Sequence, residues 1–386
     1  MIFKRLGDIC KLRNGRAFKP EEWSDRGLPI IRIQNLNDLT KPFNYCNLDI
    51  DDKFVVNTDD LLFSWSGTPG TSFGAFIWNR GKGYLNQHIF RVDVDNGRVD
   101  RKYLKYALNS QLSNIISQAH GGVGLQHITK AKLDEIPILL PPLEEQRRIA
   151  SILDKADEIR QKRQQAIVKL DELLQAEFLN KFSSKNFKPV MVQDLLETEK
   201  SMRTGPFGSQ LLHSEFVDEG IAVLGIDNAV KNQFQWGKPR FITEQKYKML
   251  SRYTVKPNDV LITIMGTCGR CAVVPEDIPL AINTKHLCCI TLDKTKCEPE
   301  FLHSYFLMHP TARNYLESRA KGAIMDGLNM GIIKELPVEL PPLEDQKAFV
   351  KFKKAILSQK QLMDLDAEKI DQMFGSLQQK AFSRTL

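Results

Sequence analysis

No stretch of this sequence approaches the roughly 18 uncharged apolar residues that a membrane-spanning helix needs, so no membrane protein is expected. The opening MIFKRLGDIC lacks the apolar core of a secretory signal, and export is not expected either. Histidine is scarce, and its seven residues never fall at HxxxH or HExxH spacing. Cysteine is also limited to seven, an odd number in a chain of 386 residues, which points to reduced thiols in the cytosol rather than a disulfide framework. Cys268-Gly-Arg-Cys271 has no second pair at zinc-ligand spacing, so no metal is expected.

Catalytic loops are missing as well. Each Pro-Pro belongs to an LPPL segment, and no Asn-Pro occurs, so the Asn-Pro-Pro-Tyr turn that holds a target amino group in DNA methyltransferases is absent. Gly81-Lys-Gly and Gly237-Lys-Pro fail as phosphate loops at their last position. No Pro-Asp dipeptide begins a metal-dependent nuclease motif. An enzyme is therefore not expected, nor a cofactor bound by the chain itself. The net charge of +7, from 54 basic and 47 acidic residues, is compatible with a polyanionic partner but decides nothing alone.

What is present is a repeat. LPPLEEQ at 140–146 returns as LPPLEDQ at 340–346, and the match extends without a gap through Asp171 with Asp371 and Phe182 with Phe382. Upstream the offset drifts: Asp60 to Thr68 pairs with Asp259 to Thr267, Gly27 to Asn35 with Gly220 to Asn228, and Asn86 with Asn283. A period this long means a duplicated domain rather than a solenoid. Runs such as Leu61-Leu-Phe-Ser-Trp and Val260-Leu-Ile-Thr-Ile predict strands, and Leu104 to Ile116 and Phe301 to Ala320 predict helices. Gly121-Gly122 and Gly322 are expected in loops before the last strand of each copy.

After each LPPL comes a segment rich in Glu, Gln, Lys, Ala and Leu, opening with carboxylates at the positive end of a helix. Its apolar positions suggest a heptad frame. One row holds Ile149, Ala156 and Leu170, and the other Ile152, Ile159, Ala166 and Leu173. The second helix repeats it with Phe349, Ile356, Met363, Ile370 and Leu377, then Phe352 and Met373. A helix of this length spans roughly 60 Å. Parallel helices would force the second domain to bridge that distance, whereas antiparallel helices let its termini lie close together. The expected fold is α+β: two tandem α/β domains at 1–142 and 184–342, separated by an antiparallel two-helix coiled coil from 143–183 and 343–386. Pseudo-two-fold symmetry, a dumbbell shape and proximity of Leu386 to Met1 follow from that connectivity.

These residues resemble the DNA-specificity subunits of type I restriction-modification systems. The carriers are IPILLPPLEEQRRIASILDKADEI with its LPVELPPLEDQ echo, the LDELLQ run at 170–175, Leu6-Gly-Asp8, Val192-Gln-Asp194, the turns at Gly67 and Gly266, and Asn86 and Asn283. The resemblance covers essentially the whole chain. It implies two target recognition domains, each binding one half of a bipartite asymmetric double-stranded DNA site, with the helices setting the spacer. It also implies two methylation subunits docked on the helices, two restriction subunits in the full complex, and a cytoplasmic protein. S-adenosylmethionine and ATP are then expected on those partners. The competing reading is an adaptor that binds no DNA, a coiled coil with two peptide-binding heads. Base contacts are expected from polar loops. The candidates are Arg13, Arg16, Lys19, Arg32, Gln34, Ser66, Thr68, Thr71, Ser72, Gln87 and His88 in the first copy. In the second they are Arg203, Thr204, Ser209, Gln210, Asn228, Thr267, Arg270, Thr284, Lys285 and His286.

Overall fold

The computed structural model describes residues 2–68, 71–122, 125–183, 187–320 and 327–382. Gly322, Met1 and Leu386 lie outside the described residues. The chain divides into two compact units, Met1–Gln165 with Leu365–Leu386, and Ala166–Asp364.

The first unit begins with strand Ile2–Arg5, antiparallel to Pro137–Leu140. Its main antiparallel sheet has the order Cys10–Asn14, Ile89–Val94, Leu61–Ser64, Gly74–Ile77. A second sheet sets Leu28–Ile31 parallel to Gly83–Leu85, with Asn44–Cys46 and Val55–Val56 at its edges. Strand Leu61–Ser64 is buried on both faces because it separates two cores. Leu61 and Phe63 pack with Tyr103, Leu104 and Ile149, while Leu62 packs with Ile31, Val56 and Leu85. Its uninterrupted apolar run is the signature of a strand covered on both sides.

The second unit repeats this plan. Pro189–Met191 pairs with Pro337–Glu339. Met202–Thr204, Leu287–Ile290, Val260–Thr263 and Cys271–Val273 form the main sheet in that order. Ile221–Leu224 runs parallel to Ala281–Asn283, as its counterpart does in the first unit. Val260 and Ile262 face the core of Phe301 and Phe349, and Leu261 faces Ala222 and Ala281.

Three sequence expectations change. Each helix before the final strand is two, Arg101–Ser110 then Leu112–Ser117, and Pro299–Met308 then Pro310–Ala320, the second pair divided at a proline. Gly121 and Gly122 lie in strand His120–Gly122, paired with Leu125–His127, rather than in a loop. Asn86 is not the counterpart of Asn283. The Asn86 amide donates to Ile31 O at 3.1 Å and the Thr284 amide to Leu224 O at 2.9 Å, so Thr284 occupies the equivalent place. The shared asparagine misleads by one residue because Asn283 works internally, its amide donating to Leu287 O at 2.9 Å.

The long helices are Leu143–Phe182 and Leu343–Phe382. The glutamine closing each LPPLE(E/D)Q motif anchors the helix start. Gln146 accepts from Asp100 N and donates to Arg98 O and Pro141 O, all at 2.9 Å. Gln346 does the same with Glu298 N, Lys296 O and Pro341 O. Within each unit the two helices meet antiparallel. Arg160 bonds Asp371 at 2.6 Å and Arg163 bonds Asp366 at 3.1 Å in the first unit. In the second, Lys360 bonds Asp171 at 2.6 Å, and Phe178 and Phe182 stack edge-on against Phe349.

One heptad row is corrected. Ile149, Ala156 and Leu170 face inward as expected, but their companions are Leu153, Ile167 and Leu174, at 1%, 6% and 5% exposure. Ile152, Ile159 and Leu173 are 43%, 55% and 48% exposed, and Met373 is 65% exposed. In the second helix the inward companions of Phe349, Ile356, Met363 and Ile370 are Lys353, Lys360, Ala367 and Phe374, while Phe352 and Leu377 are half-buried. The helices carry two adjacent apolar stripes, Ile152 beside Leu153 and Met373 beside Phe374, so spacing alone fits either. The inward row also admits Arg160, Lys353 and Lys360, whose ion pairs make them compatible with partial burial.

Candidate nucleic-acid interface

In each unit the parallel strand pair ends at a turn that opens a cleft. The turn is Asn86-Gln87-His88 in the first unit and Thr284-Lys285-His286 in the second. The loop leaving the first strand of the main sheet presses against each turn, and only glycine permits the approach. A Cβ at Gly15 would lie 2.1 Å from Asn86 O, and one at Gly205 would lie 2.0 Å from Asn283 O. This close contact places Arg16 and Phe18, or Pro206 and Gly208, beside the cleft.

The first cleft, of about 370 Å³, gathers Phe18, Trp23, Arg32, Gln34, Ser72, Gln87 and His88. Arg32 stacks over Trp23 at 5.7 Å and donates to Asn44 at 3.1 Å. The second, of about 590 Å³, has a more apolar floor of Leu211, Phe216, Ile226 and Val230, rimmed by Asp227, Arg240, Thr284, Lys285 and His286. Burial, then the charge of Arg32, holds His88 below the usual imidazole range. Burial, then Lys285 and Arg240, does the same to His286. Both rings are therefore neutral at pH 7, each offering one donor and one acceptor. Among the described residues, the buried His88 Nδ1, Arg16 Nη1 and Thr284 Oγ1 have no hydrogen-bond partner. Such atoms are costly to leave unmet and suit a polar ligand edge.

The sequence candidates divide. Arg32, Gln34, Ser72, Gln87 and His88 share the first cleft, and Thr284, Lys285 and His286 share the second. Lys19 is exposed on a loop nearby, and Ser209 and Gln210 are exposed in the 3-10 turn Gly208–Gln210, although Gln210 accepts from Tyr253 at 2.8 Å. Arg16 is tied to Glu22 at 2.5 Å and lies over Phe18. Thr68, Thr71 and Ser72 form one turn, with Thr68 N bonded to Ser72 Oγ at 3.2 Å. Thr267 and Arg270 are exposed but line a different depression, with Phe306 and Arg313. Arg13 is exposed on a strand and paired with Asp93.

Four candidates have structural work instead. Arg203 is 12% exposed, and its guanidinium serves Asp259, Thr254 O and Thr291. Asn228 is 3% exposed, accepting from Gly225 N and donating to Gln235 O, each at 2.8 Å. Ser66 is 7% exposed in a short strand, and Thr204 is half-buried opposite Cys288. Their residue types suit DNA, but existing bonds occupy Arg203 and Asn228, and strand pairing holds Ser66 and Thr204. Sequence reasoning missed Trp23, Phe18 and Arg240, which reach the clefts from loops with no recognisable spacing, and Asp227, which sits in the turn Ile226–Asn228 at the repeat position of Gln34. Among the described residues no group of His, Cys, Asp or Glu is arranged to hold a metal ion. Cys271 is buried, and burial pushes its thiol far up.

A duplicated domain, with an equivalent cleft in each copy and a long helix closing each copy, defines a recognition scaffold built twice from one plan. The type I restriction modification DNA specificity domain matches residues 1–169 and 185–370, and the chain belongs to that family. It is similar to the EcoBI specificity subunit of Escherichia coli, 26% identical over 376 residues that cover 90% of this chain and 77% of that one. It is also 26% identical over 372 residues to the MjaVIII specificity subunit of Methanocaldococcus jannaschii, covering 91% and 85%. In fold it resembles the S subunit from M. genitalium, with a TM-score of 0.59 at 16% identity over 99% and 96% of the two chains. A structure from work on complex assembly and conformational transition of the type I system matches with a TM-score of 0.58 at 15% identity, covering 100% and 98%.

Proposed function

We propose that this chain is the specificity subunit of a type I restriction-modification system, binding a bipartite, asymmetric double-stranded DNA site with one half-site per unit. The observation that carries this reading is the pair of equivalent clefts, each built on the same strand-end turn and glycine contact but lined by different side chains. Equivalent placement suits two half-sites, and different chemistry suits an asymmetric sequence. Neutral imidazoles, an amide and cations are the groups that bond base edges and phosphates.

In this reading residues 1–142 and 184–342 are the recognition domains, and the helices set the distance between half-sites. The chain performs no chemistry. Two methylation subunits carrying S-adenosylmethionine dock on the helices, where Ile152 and Ile159 present an outward apolar stripe in the first unit and Leu173, Leu357 and Leu362 in the second. Two ATP-using restriction subunits complete the assembly, in the cytoplasm. Among the described residues no helix is long and apolar enough to cross a membrane.

The direct experiment is methylation mapping of DNA from cells carrying this chain with its methylation subunit. The expected result is one split motif whose spacer cannot be changed by a single base pair without losing modification. Modification indifferent to spacer length would sink the ruler. Binding to that site should also weaken steeply with salt, because phosphate contacts release counterions. A flat salt response would favour a peptide-binding adaptor.

A further inference from the structure

Beside each cleft a buried asparagine closes a turn and holds the loop that follows. Asn35 donates to Lys41 O and Pro42 O at 3.2 and 3.1 Å, and Asn228 donates to Gln235 O at 2.8 Å. Both loops then enter a strand antiparallel to the equivalent neighbour, Asn44–Cys46 along Leu28–Ile31 and Phe241–Ile242 along Ile221–Leu224. The loops are thus equivalent, and LNDLTKPF and AVKNQFQWGKPR share only a Lys-Pro placed two residues after Leu39 and Trp236, Lys41-Pro42 and Lys238-Pro239. Each displays one large apolar side chain to solvent. Leu39 is 68% exposed, and Trp236, at 59%, is the most exposed aromatic among the described residues.

Neither tip is a loose end. Asp38 accepts from Thr40 N at 2.9 Å and from its hydroxyl at 2.6 Å, which shapes the turn that carries Leu39. Trp236 meets Phe234 edge-on at 5.4 Å, and Asp227 accepts from Lys238 N at 2.7 Å and from Arg240 at 2.5 Å. Gly237 is required there, since a Cβ would lie 2.0 Å from Asp227 Oδ2. Cations flank both tips. Arg80 donates to Asn35 O at 3.4 Å and Lys41 is exposed in the first loop, while Lys231 and Lys238 are exposed in the second.

We propose that Leu39 and Trp236 are apolar wedges that press against a base step at the edge of each half-site, while the neighbouring cations hold the flanking phosphates. A preformed apolar tip with basic shoulders is suited to unstacking DNA, a surface that is apolar between the bases and anionic outside. The inference rests on the proposed DNA-reading function, and it adds that each half-site contains a deformable step next to the bases read in the cleft.

The test uses the complex of the full chain with its methylation subunit on the mapped site, with 2-aminopurine placed in turn at each step of each half-site. Apart from the target adenine, which a methyltransferase turns out of the stack, the wild-type complex should brighten the probe at one step per half-site. Trp236→Ala should abolish brightening in one half-site, and Leu39→Ala in the other. Each should weaken binding about tenfold, the scale of one lost stacking contact. Trp236→Phe should restore most of its signal. Unchanged melting temperatures, expected for exposed side chains, keep misfolding out of the comparison. If both alanine variants bind and brighten as the wild type does, the wedge inference is wrong while the DNA-reading function stands. If they lose the methylation subunit instead, the tips are protein contacts and the inference is equally wrong. A wild-type complex that ignores the mapped site would overturn the proposed function itself.

Discussion

Single side chains decide whether the recognition turns keep their shape. Asn228 satisfies Gly225 N–H and Gln235 C=O from a buried position, and Asn35 does the same for Arg32 N–H, Lys41 C=O and Pro42 C=O. Asn228→Ala strands buried polar groups and should destabilise the second unit by about 1–3 kcal/mol, measured by denaturant unfolding. His303 is a second sensitive point. It is buried between Asn232 O, Cys271 O and Lys353, and Lys353 also bonds Glu300 at 2.6 Å. Burial, then Lys353, holds the imidazole down to about 4. Between pH 6.5 and 4 the unfolded chain takes up a proton that the folded chain refuses, so stability is fully present above that window and falls as pH drops through it. Unfolding followed from pH 7.5 to 5 should show this loss, and His303→Gln should flatten the slope in that range. An unaltered slope would remove His303 from the account.

At the scale of elements, the question is which face of a long helix is inside. Leu153 belongs to the core with Ile149 and Tyr103, whereas Ile152, one residue earlier, faces solvent. Leu153→Ala should therefore destabilise the first unit by about 2–5 kcal/mol, and Ile152→Ala by less than about 0.5 kcal/mol. Ile152→Asp should instead reduce association with the methylation subunit in a pull-down, since it charges the outward stripe without touching the core. Equal stability losses at both positions would restore the frame that spacing alone suggests. The repeated LPPLE(E/D)Q acquires its reason at this scale. Its proline ends the last strand, and its glutamine stitches the first helical turn to the loop that leads into Arg101–Ser110 in one unit and Pro299–Met308 in the other.

At the scale of the whole molecule, the two clefts predict separable recognition. Gln87→Ala with His88→Ala should relax the sequence requirement in one half-site, and Lys285→Ala with His286→Ala in the other, leaving the opposite half intact. Each lost base contact corresponds to about 1–3 kcal/mol of discrimination, readable as a shift in the methylation motif. Relaxation of both half-sites by one pair of substitutions would contradict one-unit, one-half-site reading. The duplication itself was legible from residue identities because an internal repeat needs no structure to be seen. So were the long helices, whose composition leaves few alternatives. Several cleft residues, Gln34, Gln87, His88, Lys285 and His286 among them, were also found from residue type.

The sequence alone determined that the chain is one plan written twice, each copy ending in a proline-led helix, because those facts live in local pattern and repetition. Only the tertiary structure decided which of two adjacent stripes turns inward, since both satisfy a heptad and the choice belongs to the surface they meet. It alone separated Arg203 and Asn228, occupied in the interior, from chemically similar residues that face a cleft. It also brought Trp23 and Arg240 to those clefts from distant loops and placed Leu39 and Trp236 on equivalent tips. Spatial equivalence of that kind arises from how strands cross and turns are capped, and the single Lys-Pro that follows both tips at the same spacing is too little to encode it.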